Sequence, residues 1–457
     1  MSTITELCTT PPNVSPEDKY SQLLETLTAL DRLTTADTAD VTPAETQTLL
    51  TWLPGVMLPT EALLPPEHVL EDDDLTPPAV LAPYQSVCRL ALQIITRLPT
   101  VPDDISPELA VALISQTSPH DPWTTAESRA LSTSLLATHT LPTATLTAFL
   151  TALKPHFTTP HPTLTPAAHA AARPSTFRAP LIAQTAPSYR STHPHTPTLL
   201  HYTVLRLPAH LDPLWPLILP PLLTLLDDHH APTRATGARI LAVLLTHPQT
   251  PSMLSRSGLG PVLWDAALPA VLSLPPLTPT AVSVPLLEAA YPALIALARV
   301  LGGGRARERA RLLGVLLRRG VVAGMRYAGE IVAVVEVLVG VIGELVREMG
   351  VWCVRHLGDC VGLLVGVLVD PFVGVRWGLA VRAVGALVEV LRVGWRRMVD
   401  GGRMEGGEEV MGGLRRCVSV LAAVVGREEW EGVVREVVAV EKSAVGLFEG
   451  TVGRGGE

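Results

Sequence analysis

Histidines form the most conspicuous groups of side chains that could do chemistry in this 457-residue chain. His193, His195 and His201 lie close together in the sequence, and His229 and His230 are adjacent. Neutral imidazole is a common zinc ligand, but no further cysteine or carboxylate stands at the fixed spacing that zinc sites use. We therefore interpret these residues as loop histidines and expect no metal site.

Two other patterns suggest chemistry only at first sight. The glycines at 302–304 lack the Gly-Lys-Ser/Thr ending and the preceding strand of a phosphate-binding loop, which favours a loop between helices. Cys353 and Cys360 are seven residues apart, so both lie on one helical face and resemble small buried hydrophobic residues more than a redox pair. No nucleophile elbow or Ser/His/Asp order is present. We expect no catalytic and no cofactor-binding residue.

An aspartate is followed six residues later by an arginine at two places, Asp228 with Arg234 and Asp370 with Arg376. In each, an apolar helix is predicted to end at the aspartate, a turn with one proline follows, and the arginine opens the next helix. This spacing resembles the HEAT motif. The 142 positions between the two aspartates (370 − 228) leave room for three or four units of ~40 residues.

The arginines of this pattern fall on apolar helix stripes. Arg376 projects on the side of Ala383 and Leu387, opposite Arg382 and Glu389. An arginine there needs an acceptor, because its desolvation is costly. We predict that the two Asp–Arg pairs form a structural ladder of guanidinium–carboxylate contacts between stacked helix pairs. The alternative is that each arginine simply extends to water from its helix start.

Helices are predicted almost throughout the chain, from apolar residues spaced three and four apart. They cover 17–33, 43–53, 80–98, 106–115, 126–137, 143–153, 213–226, 233–245, 261–272, 284–301, 305–319, 329–349, 351–369, 373–398, 410–425 and 428–448. Short links and the absence of a strand signal favour an all-α, HEAT-like α-solenoid, an ARM-type superhelix of stacked antiparallel helix pairs.

Four regions are predicted along the chain. They are an N-terminal helical region (1–154), a linker rich in Pro, Thr and His (155–201), the HEAT-like α-solenoid (202–450) and a disordered tail (451–457). The composition changes near Gly302, from Thr, Pro, His and Leu to Gly, Val, Arg and Glu. This change could mark two domains, but apolar helical periodicity crosses it, which favours a skew in nucleotide composition.

Charge and composition exclude several classes of function. The net charge is −8, and residues 1–200 hold 9 Lys or Arg against 19 Asp or Glu, so we expect no direct nucleic-acid partner. The five cysteines are scattered, and the N-terminus has no basic and apolar leader. The apolar stretch 331–346 is interrupted by Glu336 and Glu344, so we expect no membrane span. A cytoplasmic and nuclear location is therefore expected.

Several Leu- and Pro-rich segments resemble the Tel-two-interacting protein two family. Individually they are unspecific, and their order and spacing carry the resemblance across roughly 202–395. The segments are 211–229 with Trp215, 256–269 with Trp264, 274–279, 287–294 and 370–379.

The resemblance implies the smallest subunit of the triple-T (TTT) co-chaperone complex. The implied partners are the two larger TTT subunits, the Tel-two protein and Tel-two-interacting protein one. Indirect partners are the ninety-kilodalton heat-shock chaperone with its R-two-TP adaptor, and the phosphatidylinositol-kinase-related kinases (PIKKs) that the complex helps to mature. Telomere maintenance, DNA-damage signalling and nutrient signalling would follow. The family offers no catalytic residue to carry over.

Two other functions remain open from the sequence. The chain could be a different HEAT-repeat adaptor, such as a nuclear-transport or phosphatase scaffold, although only two repeats match well. It could also be an enzyme with an unrecognised site in residues 1–200. Co-purifying proteins would distinguish the first alternative, and bound metal or nucleotide hydrolysis the second.

Overall fold

The computed structural model describes residues 3–8, 15–35, 41–64, 77–98, 105–139, 141–157, 189–370 and 377–401, with positions 418–419, 431 and 434–435. These residues form α-helices joined by turns, short 3-10 segments and one π-helical segment, and no strand occurs among them. The helices divide into two compact units, Met1–Leu263 and Trp264–Glu457. The predicted helices at 410–425 and 428–448 and the predicted tail lie almost wholly or wholly outside the described residues.

Unit 1 contains eleven complete helices among its described residues. They are α1 (Thr3–Leu7), α2 (Pro16–Thr35), α3 (Pro43–Met57), α4 (Leu81–Arg97), α5 (Pro107–Ile114), α6 (Ala126–Thr138), α7 (Thr143–Leu153), α8 (Thr196–Leu205), α9 (Trp215–Leu226), α10 (Ala231–Leu244) and α11 (Thr250–Ser257). A twelfth, α12 (Gly260–Ala267), spans the boundary between the units.

Local capping chemistry fixes where several of these helices begin. The Thr42 side chain accepts the Glu45 N–H, and the Glu45 carboxylate accepts the Thr42 N–H, forming a capping box around Pro43. Ser106 caps α5 in the same position, ahead of Pro107. Capping residues of this kind can be recognised in the sequence. The predicted bounds of these helices therefore agree with the structure to within a few residues.

In unit 1, several helices pack on the next helix but one along the chain. Helix α2 packs on α4 and α4 on α6, while α3 packs on α5 and α8 on α10. Arg97 and Asp31, both near the C-terminal ends of their helices, pair at 2.5 Å, so α4 and α2 run in the same direction. Alternate helices that stack in parallel, with antiparallel partners between them, are the arrangement of an α-solenoid.

Unit 2 repeats this arrangement. Its helices are α13 (Thr280–Gly302), α14 (Ala306–Leu316), α15 (Ala323–Ala328), α16 (Val332–Met349), α17 (Leu357–Val369) and α18 (Trp377–Gly401). Helix α13 packs on α16, α16 packs on α18, and α17 packs on α18. A Cβ on Gly343 of α16 would lie 3.4 Å from Ala386 Cα of α18, so the two backbones approach closely. The predicted HEAT-like α-solenoid is confirmed.

Four helices and one irregularity differ from the predicted elements. Helices α1 and α15 lie where no helix was predicted. Helix α8 begins at Thr196, inside the predicted linker 155–201, and α11 lies where no helix was predicted. The two described ends of the predicted linker also meet, because the rings of Phe157 and Tyr189 stack with centroids 4.7 Å apart. Between α14 and α15 the backbone is a π-helix over Leu317–Val322.

Helix α13 is, among the described residues, the one helix long and apolar enough to cross a membrane by length and composition. Two thirds of its most apolar window (67%) is buried within the protein, and the helix packs against α14 and α16. That burial is typical of the core helix of a solenoid.

Candidate functional site

Asp228 lies at the joint between α9 and α10, where its carboxylate is almost completely enclosed. Its side chain is 2% exposed. The Oδ1 atom accepts the N–H of His230 at 2.9 Å, and Oδ2 accepts the hydroxyl of Tyr189 at 2.7 Å. The Nε atom of Arg190 lies 3.5 Å from Oδ2. A buried carboxylate needs such a set of donors and a cation to offset its desolvation.

Arg234, the predicted partner of Asp228, lies in the first turn of α10. Burial lowers the pKa of its guanidinium, while the charges of Asp227 and Asp228 act in the opposite direction. Asp228 therefore attracts Arg234 electrostatically and also holds Arg190, an arginine that the sequence pattern does not single out. In the second predicted pair, Asp370 follows the last residue of α17, and Arg376 lies outside the described residues. The repeated ladder as a whole stays a prediction.

Unit 2 contains ion pairs between stacked helices at other positions. Arg299 of α13 donates to Glu348 at 2.9 Å and to Glu344 at 3.3 Å, both on α16. Arg347 of α16 in turn pairs with Glu389 of α18 at 3.2 Å. The two arginines are 48 positions apart (347 − 299), so the contact recurs once per repeat. Exposed pairs of this kind contribute only ~0–1 kcal/mol each, so they align neighbouring repeats more than they stabilise them.

The predicted faces of α18 agree with the structure at Arg382, Ala383 and Leu387 but not at Glu389, whose side chain is only 15% exposed. Arg382 is exposed, whereas Ala383 and Leu387 are buried. Sequence reasoning placed Glu389 on the solvent face but did not identify Arg347 as its partner. The signal in the sequence that could have indicated this pair is the recurrence of arginine and glutamate at a spacing of one repeat.

The histidines form a cluster around the start of α8. The rings of His156 and His193 lie 4.2 Å apart, and those of His193 and His195 lie 6.0 Å apart. Burial lowers the pKa of His195 to about 4, and the neighbouring imidazoles act in the same direction. No group of three or more potential metal ligands occurs in the part of the chain that the structure describes. His201 lies on α8, and burial lowers its pKa to about 4 as well.

The cysteines and glycines considered above have structural environments. Cys353 and Cys360 are both buried free thiols. At the end of α13, Gly303 has φ +49°, a conformation that favours glycine, and the chain turns there into α14. The two cysteines therefore have a packing role, and Gly303 forms a turn between helices.

A groove in unit 1 lies between the α5–α6 connection, α6 and α8. It has a volume of about 230 Å³. The lining residues are Thr117, Ser118, Pro119, Thr133, Leu136, Thr198, His201, Tyr202, Leu205 and Arg206. At its edge Leu205 is 54% exposed, and the Arg206 guanidinium lies over the Tyr202 ring with Cζ 3.7 Å from the ring centroid. Sequence reasoning missed this groove, because α8 begins within the predicted linker and was not predicted as a helix.

Unit 2 exposes apolar side chains near the N-terminal ends of α16 and α18. Tyr327, just before α16, is 74% exposed, and Val381 of α18 is 52% exposed. The neighbouring Arg382 donates to the Glu336 carbonyl at 3.4 Å, which places the two helix starts side by side. Contiguous exposed apolar residues mark protein interaction surfaces, and the adjacent starts of α16 and α18 are a candidate for one.

Comparisons with known proteins give a family and a distant structural likeness. No curated protein matches the chain. A crystal structure of importin beta is 13% identical, with a TM-score of 0.40, and the alignment covers 97% of this chain and 56% of that one. The family model for the Tti2 family matches residues 109–375. These 267 residues (375 − 109 + 1) are more than half of the sequence and include most of the segments that carry the resemblance. The chain therefore belongs to the Tti2 family.

Proposed function

We propose that this chain is a non-catalytic scaffold subunit of a TTT-type complex. In this proposal it binds the two larger subunits, the Tel-two protein and Tel-two-interacting protein one. The assembled complex acts with the ninety-kilodalton heat-shock chaperone and its adaptor, in cytoplasm and nucleus, to support the maturation and abundance of PIKKs. The match to the Tti2 family over residues 109–375 is the observation that carries the proposal.

The helical architecture supports a binding role. Stacked helices present an extended outer surface, and such folds act by shape and contact more than by enclosed chemistry. The exposed apolar residues of unit 2, Tyr327 and Val381 among them, would lose unfavourable contact with water when a partner subunit covers them. The buried carboxylate of Asp228 is fully engaged by donors of its own chain, which suits a structural role.

Affinity purification tests the proposal directly. The full chain, tagged at its N-terminus, is expressed in its native cells, and the captured proteins are identified by mass spectrometry. We expect both larger TTT subunits to be captured in amounts comparable to the chain itself. Their absence, with a different set of stable partners in their place, would overturn the TTT proposal and favour another HEAT-type adaptor.

A second experiment tests the proposed effect on PIKKs. Depletion of the chain should lower the protein levels of several PIKKs without lowering their messenger RNAs, and re-expression should restore those levels. Unchanged kinase levels after effective depletion would contradict the proposed maturation role even if the complex forms.

A further inference from the structure

The groove between α6 and α8 is formed in part by a sequence segment that is unusually basic for this acidic protein. Residues 128–211 hold six Lys or Arg residues and no Asp or Glu, although the chain as a whole has a net charge of −8. The six are Arg129, Lys154, Arg173, Arg178, Arg190 and Arg206. Arg173 and Arg178 lie outside the described residues, and Arg190 pairs with Asp228, so Arg206 is the arginine that lines the groove and can attract an anionic partner.

Arg206 provides a preoriented cation at the groove's edge. Its backbone N–H donates to the Thr203 carbonyl at the end of α8, and its guanidinium carbon lies over the Tyr202 ring, 3.7 Å from the ring centroid. Among the described residues no carboxylate pairs with Arg206, and its side chain is exposed. A guanidinium stacked on an aromatic ring keeps its donors free in a fixed plane, so less side-chain entropy is lost when it binds an anion.

The interior of the groove suits an aliphatic group. Leu205 contributes most of the accessible apolar surface, because it is 54% exposed in a helix whose other apolar residues are mostly buried, whereas Leu136 lines the groove with only 5% of its surface exposed. The volume of about 230 Å³ exceeds the ~150 Å³ of an apolar cavity that holds a benzene molecule. One branched aliphatic side chain therefore fits beside Leu205, within reach of the Arg206 guanidinium.

An acidic side chain that contacts the groove lining is already engaged. Asp121, in the α5–α6 connection, accepts the Thr198 hydroxyl at 2.5 Å. Thr198 itself lines the groove, so this bond fixes α8 against the connection and leaves Arg206 as the exposed charge at the opposite end of the helix.

We propose that the groove between α6 and α8 binds an acidic, apolar peptide segment of a partner protein. A carboxylate of the segment forms a bidentate pair with Arg206, and a neighbouring aliphatic side chain packs against Leu136 and Leu205. This inference rests on the proposed function in one respect only, that the chain acts by binding proteins. It adds the chemistry of a segment that the solenoid recognises.

Fluorescence anisotropy with the full chain tests this inference independently of subunit capture. The probe is a fluorescein-labelled peptide with three Glu-Leu pairs flanked by Gly and Ser, and the reference peptide carries Gln in place of Glu. We expect the acidic peptide to bind, Arg206→Gln to weaken binding at least tenfold, and the Gln peptide to bind at least tenfold more weakly. Leu205→Ser should weaken binding independently, because it removes the apolar half of the contact.

Arg32→Gln provides the matched control. Arg32 is an exposed arginine of α2, which packs on α4 and away from α8, so binding should stay within twofold of the unmodified chain. Equal affinities for the Arg206→Gln and Arg32→Gln chains would overturn the proposal, as would equal binding of the Glu and Gln peptides. Arg206-dependent binding of single-stranded oligothymidine without binding of the peptide would also overturn it. Thermal midpoints near that of the unmodified chain exclude unfolding as the cause of any loss.

Discussion

Replacement of Asp228 by alanine tests whether the joint between α9 and α10 depends on its buried carboxylate. The substitution removes the acceptor that lies 2.7 Å from the Tyr189 hydroxyl oxygen and 2.9 Å from the His230 nitrogen, and it removes the carboxylate beside Arg190. The Arg190 side chain is only 10% exposed, so its charge is poorly compensated by water once the carboxylate is gone. Removing one member of a buried ion pair typically costs about 3–5 kcal/mol.

Hydrogen exchange provides the assay, because a stacked helical protein opens locally as well as globally. At 1.36 kcal/mol per factor of ten, the loss corresponds to roughly two to nearly four orders of magnitude in the opening equilibrium. We expect the amides of α8 and α10, measured by mass spectrometry in the native protein, to lose protection by that factor. Peptides from α16 and α18 in unit 2 serve as an internal reference.

Asp227→Ala is the matched control for this experiment. Asp227 carries the same charge one residue earlier but is exposed, so its removal should change protection by less than tenfold. Equal losses of protection in the two variants would refute the reasoning, since the effect would then come from net charge and not from the buried contacts of Asp228.

Three further predictions concern other parts of the molecule. Tyr291→Phe should raise the free energy of unfolding of unit 2 by about 1 kcal/mol in urea, because the Tyr291 hydroxyl is buried and has no hydrogen-bond partner among the described residues. Gly320→Ala should lower it, since the new Cβ would lie 2.7 Å from that hydroxyl, and Tyr291→Phe should recover part of the loss. His195, whose pKa is lowered to about 4 by burial, stabilises the folded state above pH 6.5, and this contribution is lost as the pH falls towards 4. Thermal midpoints should fall over that range, and less steeply for His195→Gln. Tyr327→Ser should reduce capture of the larger TTT subunits severalfold, whereas Leu277→Ser, at a site 93% exposed in a loop, should not; equal capture would exclude Tyr327 from the interface.

Helix starts and apolar stripes were the predictable part of this fold. Thr42 with Glu45 forms a capping box, and residues such as Ala383 and Leu387 follow a stripe that is legible at helical spacing. Both signals arise from interactions within a few residues of the chain. They require no knowledge of what the helix packs against.

Helix α8 was missed for a physical reason. Seven of its ten residues are buried, Thr196, Thr198 and Thr203 among them, so burial extends around the helix and no single apolar stripe forms. Helix α11 was missed because its eight residues, ended by Gly258 at φ +69°, give little more than two turns of pattern. Tertiary packing, not local propensity, stabilises helices of this kind.

In the candidate site, too, local features were predictable from the sequence and tertiary contacts were not. Asp228 was identified from the sequence, because an acidic residue ends an apolar helix there. Its observed donors Tyr189 and Arg190 lie 39 and 38 positions earlier, in a segment whose composition suggests a linker. A spacing pattern within one repeat can indicate that a charge will be buried. It does not identify the partner that another part of the chain supplies.

The buried joint and the proposed peptide groove share helix α8. Tyr189 and Arg190 precede its first residue by a few positions, whereas Leu205 and Arg206 lie at its other end, about 15 Å away at 1.5 Å per residue. Because α8 also packs on α10, which begins next to Asp228, the joint fixes the direction in which Arg206 is presented. Asp228→Ala should therefore weaken binding of the acidic peptide without changing any residue of the groove. If α8 loses protection from exchange while peptide affinity stays unchanged, the groove is positioned instead by the Asp121–Thr198 contact, and Asp121→Ala would then have the larger effect.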